Sequence, residues 1–106
     1  MEQTMYGTVA KLRLKGNHEE QVRSLNDEWA SERGRKIAGY VGTYVLQADE
    51  RPNELILVAL FKDRDSYRAN ADDPEQDRWY RRMREHLETD PDWTDGEFVF
   101  VDTPED

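Results

Sequence analysis

Seven consecutive residues, Leu55–Phe61, read LILVALF, without one polar side chain. Seven residues are short for a buried helix, and the β-branched and aromatic content favours an extended chain. Side chains of a strand alternate between faces, so this strand is apolar on both. Such a strand belongs in the middle of a sheet with both sides covered. The chain must therefore build a sheet, and something must lie on each of its faces.

The flanking sequence supplies partners. Residues Tyr6–Leu14, YGTVAKLRL, alternate with period two. Tyr6, Thr8, Ala10, Leu12 and Leu14 fall on one face, predicted to meet the helices, and Gly7, Val9, Lys11 and Arg13 on the other. The next segment, GNHEEQVRSLNDEWASERG, reads as a helix. Asn17 stands as N-cap with Glu20 three residues on, a capping-box spacing. Val22, Leu25 and Trp29 make its apolar stripe, and Gly34 can close it in a left-handed conformation. Residues 37–48 form a second strand, and DERPNE is the turn into LILVALF. After it, KDRDSYRANA makes a short helical turn. A last helix opens at Asp73 as cap with Pro74 in the first position and runs to about Leu87. Its stripe is Trp79, Tyr80, Met83 and Leu87. TDPDWTDG reads as loop, EFVFV as the final strand, and the acidic tail DTPED as frayed.

The order β-α-β-β-α-β is the ferredoxin-like pattern, an α+β fold with a four-stranded antiparallel sheet. Right-handed crossovers put both helices on one face. Val9 and one side of the Leu55–Phe61 strand would then face water, and a second copy of the chain is the economical cover. The 106 residues suffice for one domain spanning 1–106. Apolar residues (36%) barely match charged ones (37%), which is lean for a monomer covering both sheet faces alone.

Charge and composition exclude several classes. A formal net charge of -9 repels nucleic-acid phosphates and anionic lipid, so neither nucleic acid nor a membrane is expected as partner. The absence of cysteine removes disulfides, thiol catalysis and Cys-type zinc sites. With no leader-like segment and no apolar run long enough to span a bilayer, a cytoplasmic protein is expected. The third strand lacks the aromatic pair and glycine of an RNA-recognition motif. Gly39 and Gly42 in GYVG sit inside a strand, where glycine marks a bulge or close packing. The two histidines, His18 and His86, lie on different helices with no third ligand indicated, so no metal site is expected. Ser24, Ser31 and Ser66 lack a nucleophile-elbow context. Lys11 and Arg13 suit pairing with acids such as Glu54 or Glu97 across a dimer.

Taken together, YGTVAKLRLKGNHEEQV, a long helix, and GYVGTYVLQADERPNELILVALFKDRDSYRANADDPEQDRWYRRMREHL resemble the antibiotic biosynthesis monooxygenase (ABM) family, within the dimeric α/β-barrel proteins. The resemblance runs from Tyr6 to Phe100. Its most telling part is a strand ending in an aromatic (LVALF), an acidic turn (KDRDSY) and Pro74 opening the last helix. It implies a homodimer whose two sheets face each other as a closed barrel, with a small cavity in each subunit between sheet and helices. Several family members oxidise quinols or polycyclic aromatics with dioxygen, using neither metal nor flavin. Relatives often carry a histidine where this chain has Asn70. The haem-degrading branch uses an asparagine at Ala10 and a histidine at Trp79 or Tyr80, so haem degradation is not implied.

The site set that follows is Asn70 as catalytic candidate, with Tyr67, Trp79, Tyr80, Met83, Trp29 and Ala10 lining a pocket for a small planar aromatic or quinol, with no cofactor. Aromatic walls suit a planar substrate, and Asn70 can hydrogen-bond a phenolic or quinone oxygen. Oxidation without a cofactor requires a stabilised substrate anion, hence polar donors in a dry cavity. The plainer account makes Trp79, Tyr80, Met83 and Leu87 the core stripe of an amphipathic helix, and a non-catalytic dimer with a filled interior stands as the alternative. The arginines of RWYRRMR follow acids along the helix as its dipole and i,i+4 pairing favour, which makes a solvated face.

Overall fold

The computed structural model describes residues 4–102 and 104, so most of the tail read as frayed lies outside the described residues. Strand β1 (Tyr6–Arg13) leads into helix α1 (Glu19–Glu32) and a 3-10 turn (Gly34–Lys36). Strands β2 (Tyr40–Gln47) and β3 (Glu54–Phe61) form a hairpin, followed by helices α2 (Arg64–Ala71) and α3 (Pro74–Arg84) and strand β4 (Asp92–Glu97). The four strands are antiparallel in the order β2-β3-β1-β4, so the doubly apolar β3 occupies an interior position, as its composition demands.

The register assigns the two faces. Tyr6, Thr8, Ala10 and Leu12 share theirs with Phe61, Ala59, Leu57 and Leu55. This face carries the core: Ala10, Leu12, Leu14, Val22, Leu55 and Leu87 are buried together, with Leu57 and Met83 against them. Fully burying such side chains contributes about 1.5–3 kcal/mol each. The opposite face carries Val9, Ile56 and Val58 with Tyr44 and Leu46 of β2. Tyr44 is 66% and Leu46 61% exposed, the condition anticipated for an uncovered sheet face.

Several local readings are corrected. Asn17 does not cap α1; its φ of 66° puts it in the left-handed region, a turn geometry its short polar side chain tolerates, and His18 holds the cap position with no side-chain bond. Gly34 is not left-handed either. It opens the 3-10 turn, and a Cβ there would lie 3.1 Å from the Trp29 ring. The left-handed glycine is Gly39, with φ 81°, entering β2, which starts at Tyr40 rather than at Ile37. KDRDSYRANA makes a whole helix rather than one turn, because Asp63 accepts the Ser66 amide at 2.8 Å and caps it. That amide also holds the Asp63 carboxyl below its ordinary value. Asp73 caps α3 as expected, accepting from Glu75 N–H at 2.9 Å, but the helix stops at Arg84. Leu87 lies beyond it in a bridge to Leu14, fully buried.

The largest correction concerns the last strand. It comprises Asp92–Glu97, the segment read as loop, while EFVFV contributes only its first residue. An edge strand beside β1 needs main-chain pairing more than apolar side chains, and charges on such an edge discourage further strand addition. Val99 and Phe100 instead stand 94% and 81% exposed. Of the i,i+4 pairing expected around RWYRRMR, Asp77–Arg81 forms at 2.9 Å, whereas Arg84 turns to Asp90 at 2.7 Å. Glu54 pairs within its own chain, with Arg51 at 3.2 Å.

Candidate functional site

The antiparallel register of β1 and β4 sets two adjacent rungs on the helix-facing side: Thr8 opposite Asp95, and Ala10 opposite Trp93. Helix α2 hangs Tyr67 over the first rung, its hydroxyl donating to Asp95 Oδ1 at 2.9 Å. Helix α3 hangs Tyr80 over the second, with ring centroids of Tyr80 and Trp93 6.3 Å apart. Trp93 is 47% exposed, so this corner opens to solvent at the sheet's edge. The phenol of Tyr67 is pushed up to about 12, first by burial and then by the hydrogen bond and charge of Asp95, with the Thr8 hydroxyl acting in the other direction. Burial, and then the charge of Asp90, raises Tyr80 as well. Both phenols thus stay protonated at neutral pH, and that of Tyr67 donates to Asp95.

Tyr67 and Asn70 are three residues apart and share a face of α2. Asn70 is buried and belongs to a polar lock between the end of α1 and the α2–α3 junction. Arg33 Nη2 donates to Asn70 Oδ1 at 2.6 Å and lies 3.3 Å from an Asp73 carboxylate oxygen. Arg33 Nε donates to Gln76 Oε1 at 3.1 Å, and the same oxygen accepts from the Trp29 indole at 3.1 Å. The Glu75 amide, and then Arg33, hold Asp73 below its ordinary value. Asn70 Oδ1 is thus committed to the guanidinium.

A run of ring contacts backs this layer. Tyr6–Tyr67 and Trp29–Tyr40 centroids lie 5.2 Å apart, and Phe61 stands 5.5 Å from both Tyr67 and Tyr40. Such edge-on and tilted pairs are favourable beyond their buried area.

The residues chosen from sequence are only partly brought together. Along the β1–β4 corner Tyr67 reaches Asp95, Tyr80 lies beside Trp93 and Ala10 pairs with Trp93, while Met83 packs on the core. Trp29 joins the ring run. Trp79 points away: Arg82 stacks on it at 4.5 Å, and it lines an outer groove of about 550 Å³ with Arg33, Lys36 and Glu75. The apolar stripe expected of α3 is correspondingly thin, since none of its own residues is fully buried. A second groove of about 430 Å³, between α1 and α3, includes Glu20, Glu28, Arg82 and His86. Of the seven expected site residues only Trp79 touches either groove. The structure adds Asp95, Trp93 and Thr8 to this corner. The first two lie in the segment read as loop, where DWTD sets a single tryptophan among polar residues and carries no apolar alternation to mark a strand.

The described residues contain no group of three or more metal-ligating side chains, and no helix among them is long and apolar enough to cross a membrane. Residues 5–82 match the antibiotic biosynthesis monooxygenase family. No curated protein sequence matches the chain. Among solved structures, a conserved protein from Methanosarcina mazei Go1 superposes with a TM-score of 0.77 at 19% identity, over 89% of this chain and 92% of the other. A protein from Nitrosomonas europaea bearing the same family name gives 0.78 at 15%, over 94% and 95%. An alanine variant of SnoaB, a cofactor-independent oxygenase from Streptomyces nogalater, gives 0.75 at 18%, over 96% and 99%.

Proposed function

Because the chain belongs to the antibiotic biosynthesis monooxygenase family, we propose that it works as a homodimer binding a small planar aromatic or quinol at the β1–β4 corner and oxidising it with dioxygen without a cofactor. The observation that carries this reading is the pair of adjacent rungs: Tyr67 on Asp95, and Tyr80 beside Trp93. The corner is open to solvent, so the substrate itself must exclude water by stacking on the Tyr80 and Trp93 rings and covering Asp95. Asp95 accepts the proton of a phenol or activated methylene. Once it is protonated, the Tyr67 hydroxyl is released to donate to the substrate oxyanion, and the Asn70 amide adds a second donor from the same helix face. The anion passes an electron to dioxygen, and the radical pair joins in a carbon–oxygen bond. Loss of water then converts a CH₂ to a carbonyl. Four electrons leave carbon and reduce dioxygen, whose atoms end in the carbonyl and in water.

The test is oxygen uptake with an anthrone or naphthoquinol. Asp95→Asn and Asn70→Ala should each lower the protein-dependent rate by about 100-fold, the scale of a lost proton acceptor or oxyanion donor. Wild-type protein that consumes no oxygen with either substrate overturns the catalytic reading.

The contacting run from Tyr6 to Trp29, and grooves that lie outside the sheet–helix interior, favour a second reading: a non-catalytic dimer that holds a ligand or is purely structural. Saturable quenching of Trp93 fluorescence by a quinol, without oxygen uptake, would select it.

A further inference from the structure

The two histidines meet. Nδ1 of His18, at the start of α1, lies 2.9 Å from Nδ1 of His86, just past α3, with ring centroids 5.2 Å apart and planes at 57°. The backbone fixes both positions without help from the rings. Lys15 N–H donates to His86 O at 2.9 Å, His18 N–H donates to Lys15 O at 3.3 Å, and Leu14 bridges Leu87. The two lone-pair directions are thus brought together by a frame that does not depend on their contact.

From this geometry we propose that His18 and His86 form a binding site for one borderline divalent transition ion: Zn(II), Ni(II) or Cu(II). A metal–nitrogen bond of about 2.0–2.1 Å with a tetrahedral angle places two Nδ1 atoms roughly 3.3 Å apart and their ring centroids roughly 5.2 Å apart. The observed centroid separation is already 5.2 Å. The ion therefore enters by a swing of each ring through roughly 35° about its soft χ2 torsion, and neither helix has to move. It replaces the single proton the two nitrogens share, and imidazole nitrogen is the donor these ions prefer over the harder cations.

The surroundings favour a cation. The groove that reaches His86 is rimmed by Glu20 and Glu85, while its Glu28 and Arg82 neutralise each other at 2.8 Å. The chain's net charge of -9 adds to the attraction. With two protein ligands, water completes the coordination. The bound ion ties the beginning of α1 to the end of α3, on a different part of the molecule from the β1–β4 corner.

Isothermal titration and thermal melting of tag-free protein with ZnCl₂, NiCl₂, CuCl₂ and MgCl₂ test the site. One transition ion per chain, a raised melting temperature and no response to magnesium are expected. His18→Ala and His86→Ala should each weaken binding by about 100-fold. Copper EPR of the wild-type protein should show two imidazole nitrogens, a readout that stands even where a variant fails to fold. Absence of saturable binding up to about 1 mM of each ion, undiminished binding by either alanine variant, one ion per two chains, or a copper signal without imidazole nitrogen would overturn the proposal.

Discussion

Replacing Arg33 by alanine removes the centre of the lock that holds Asn70, and its cost can be worked contact by contact. The side chain is 12% exposed, and it donates to Asn70 and Gln76 while lying against Asp73. Asn70 Oδ1 loses a charge-assisted bond in a buried position, about 1.5–3 kcal/mol. Gln76 Oε1 keeps the Trp29 indole, so its loss is about 1 kcal/mol. The Asp73 carboxylate is solvated and adds little. Burial lost from the arginine stem adds about 1 kcal/mol. The sum, about 3.5–5 kcal/mol, corresponds to a fall in melting temperature of roughly 14–20 °C for a chain of this size. Urea unfolding followed by tryptophan fluorescence measures it directly. Arg33→Lys should recover less than half, since an ammonium lacks the fork that reaches both amides. A double-mutant cycle with Asn70→Ala should return a coupling of about 1–2 kcal/mol. A loss under about 1 kcal/mol, or no coupling, would refute the lock.

Other consequences are as direct. Val58→Glu places a carboxylate on the uncovered sheet face, opposite Val9 and Tyr44. The variant should keep its far-UV spectrum and sediment as a monomer, with self-association weakened roughly 1000-fold, because two-fold symmetry buries the charge twice. A dimer by sedimentation contradicts the role given to that face. Gly39→Ala should cost about 2–3 kcal/mol, since φ is 81° and the new Cβ would clash with the Ser66 side chain. Spectrophotometric titration at alkaline pH should find one tyrosine ionising near pH 12. Its raised value means that the folded state keeps this proton longer than the unfolded chain. The associated stability is therefore full below pH 10 and lost between pH 10 and about 12. Asp95→Asn should move that transition downward, and an unmoved transition would detach Asp95 from Tyr67.

The sheet was legible wherever side-chain alternation carried the signal. In β1, alternation separated Thr8, Ala10 and Leu12 from Val9 and Lys11 correctly, and LILVALF announced its interior position. Helix starts rich in capping chemistry were legible too, as at Asp73–Pro74. The sequence misled where main-chain geometry outweighed side-chain preference. Asn17 has the residue type of a cap but takes the left-handed turn before it, and DWTDGE pairs through its backbone with no apolar face to advertise a strand. That second miss hid Asp95 and Trp93. The site suffered more than the fold, because Tyr67 and Tyr80 acquire their partners only when β4 is placed beside β1. Trp79 and Tyr80, adjacent in sequence, diverge by the turn of a helix, and no spacing rule told which of them points inward.

The Phe98 ring has a bearing on how two such sheets could meet. It lies against Gly7, where a Cβ would come within 3.0 Å of it, and so this chain roofs one end of its own outer face. The open stretch is left on the other side, along Ile56, Val58, Tyr44 and Leu46. In the proposed homodimer, a mate laid squarely across the four strands would meet that ring, whereas one displaced toward the β2 margin would meet the open stretch. Shaving Phe98 to alanine should therefore re-centre the pair, and the change in its overall dimensions is within reach of solution scattering.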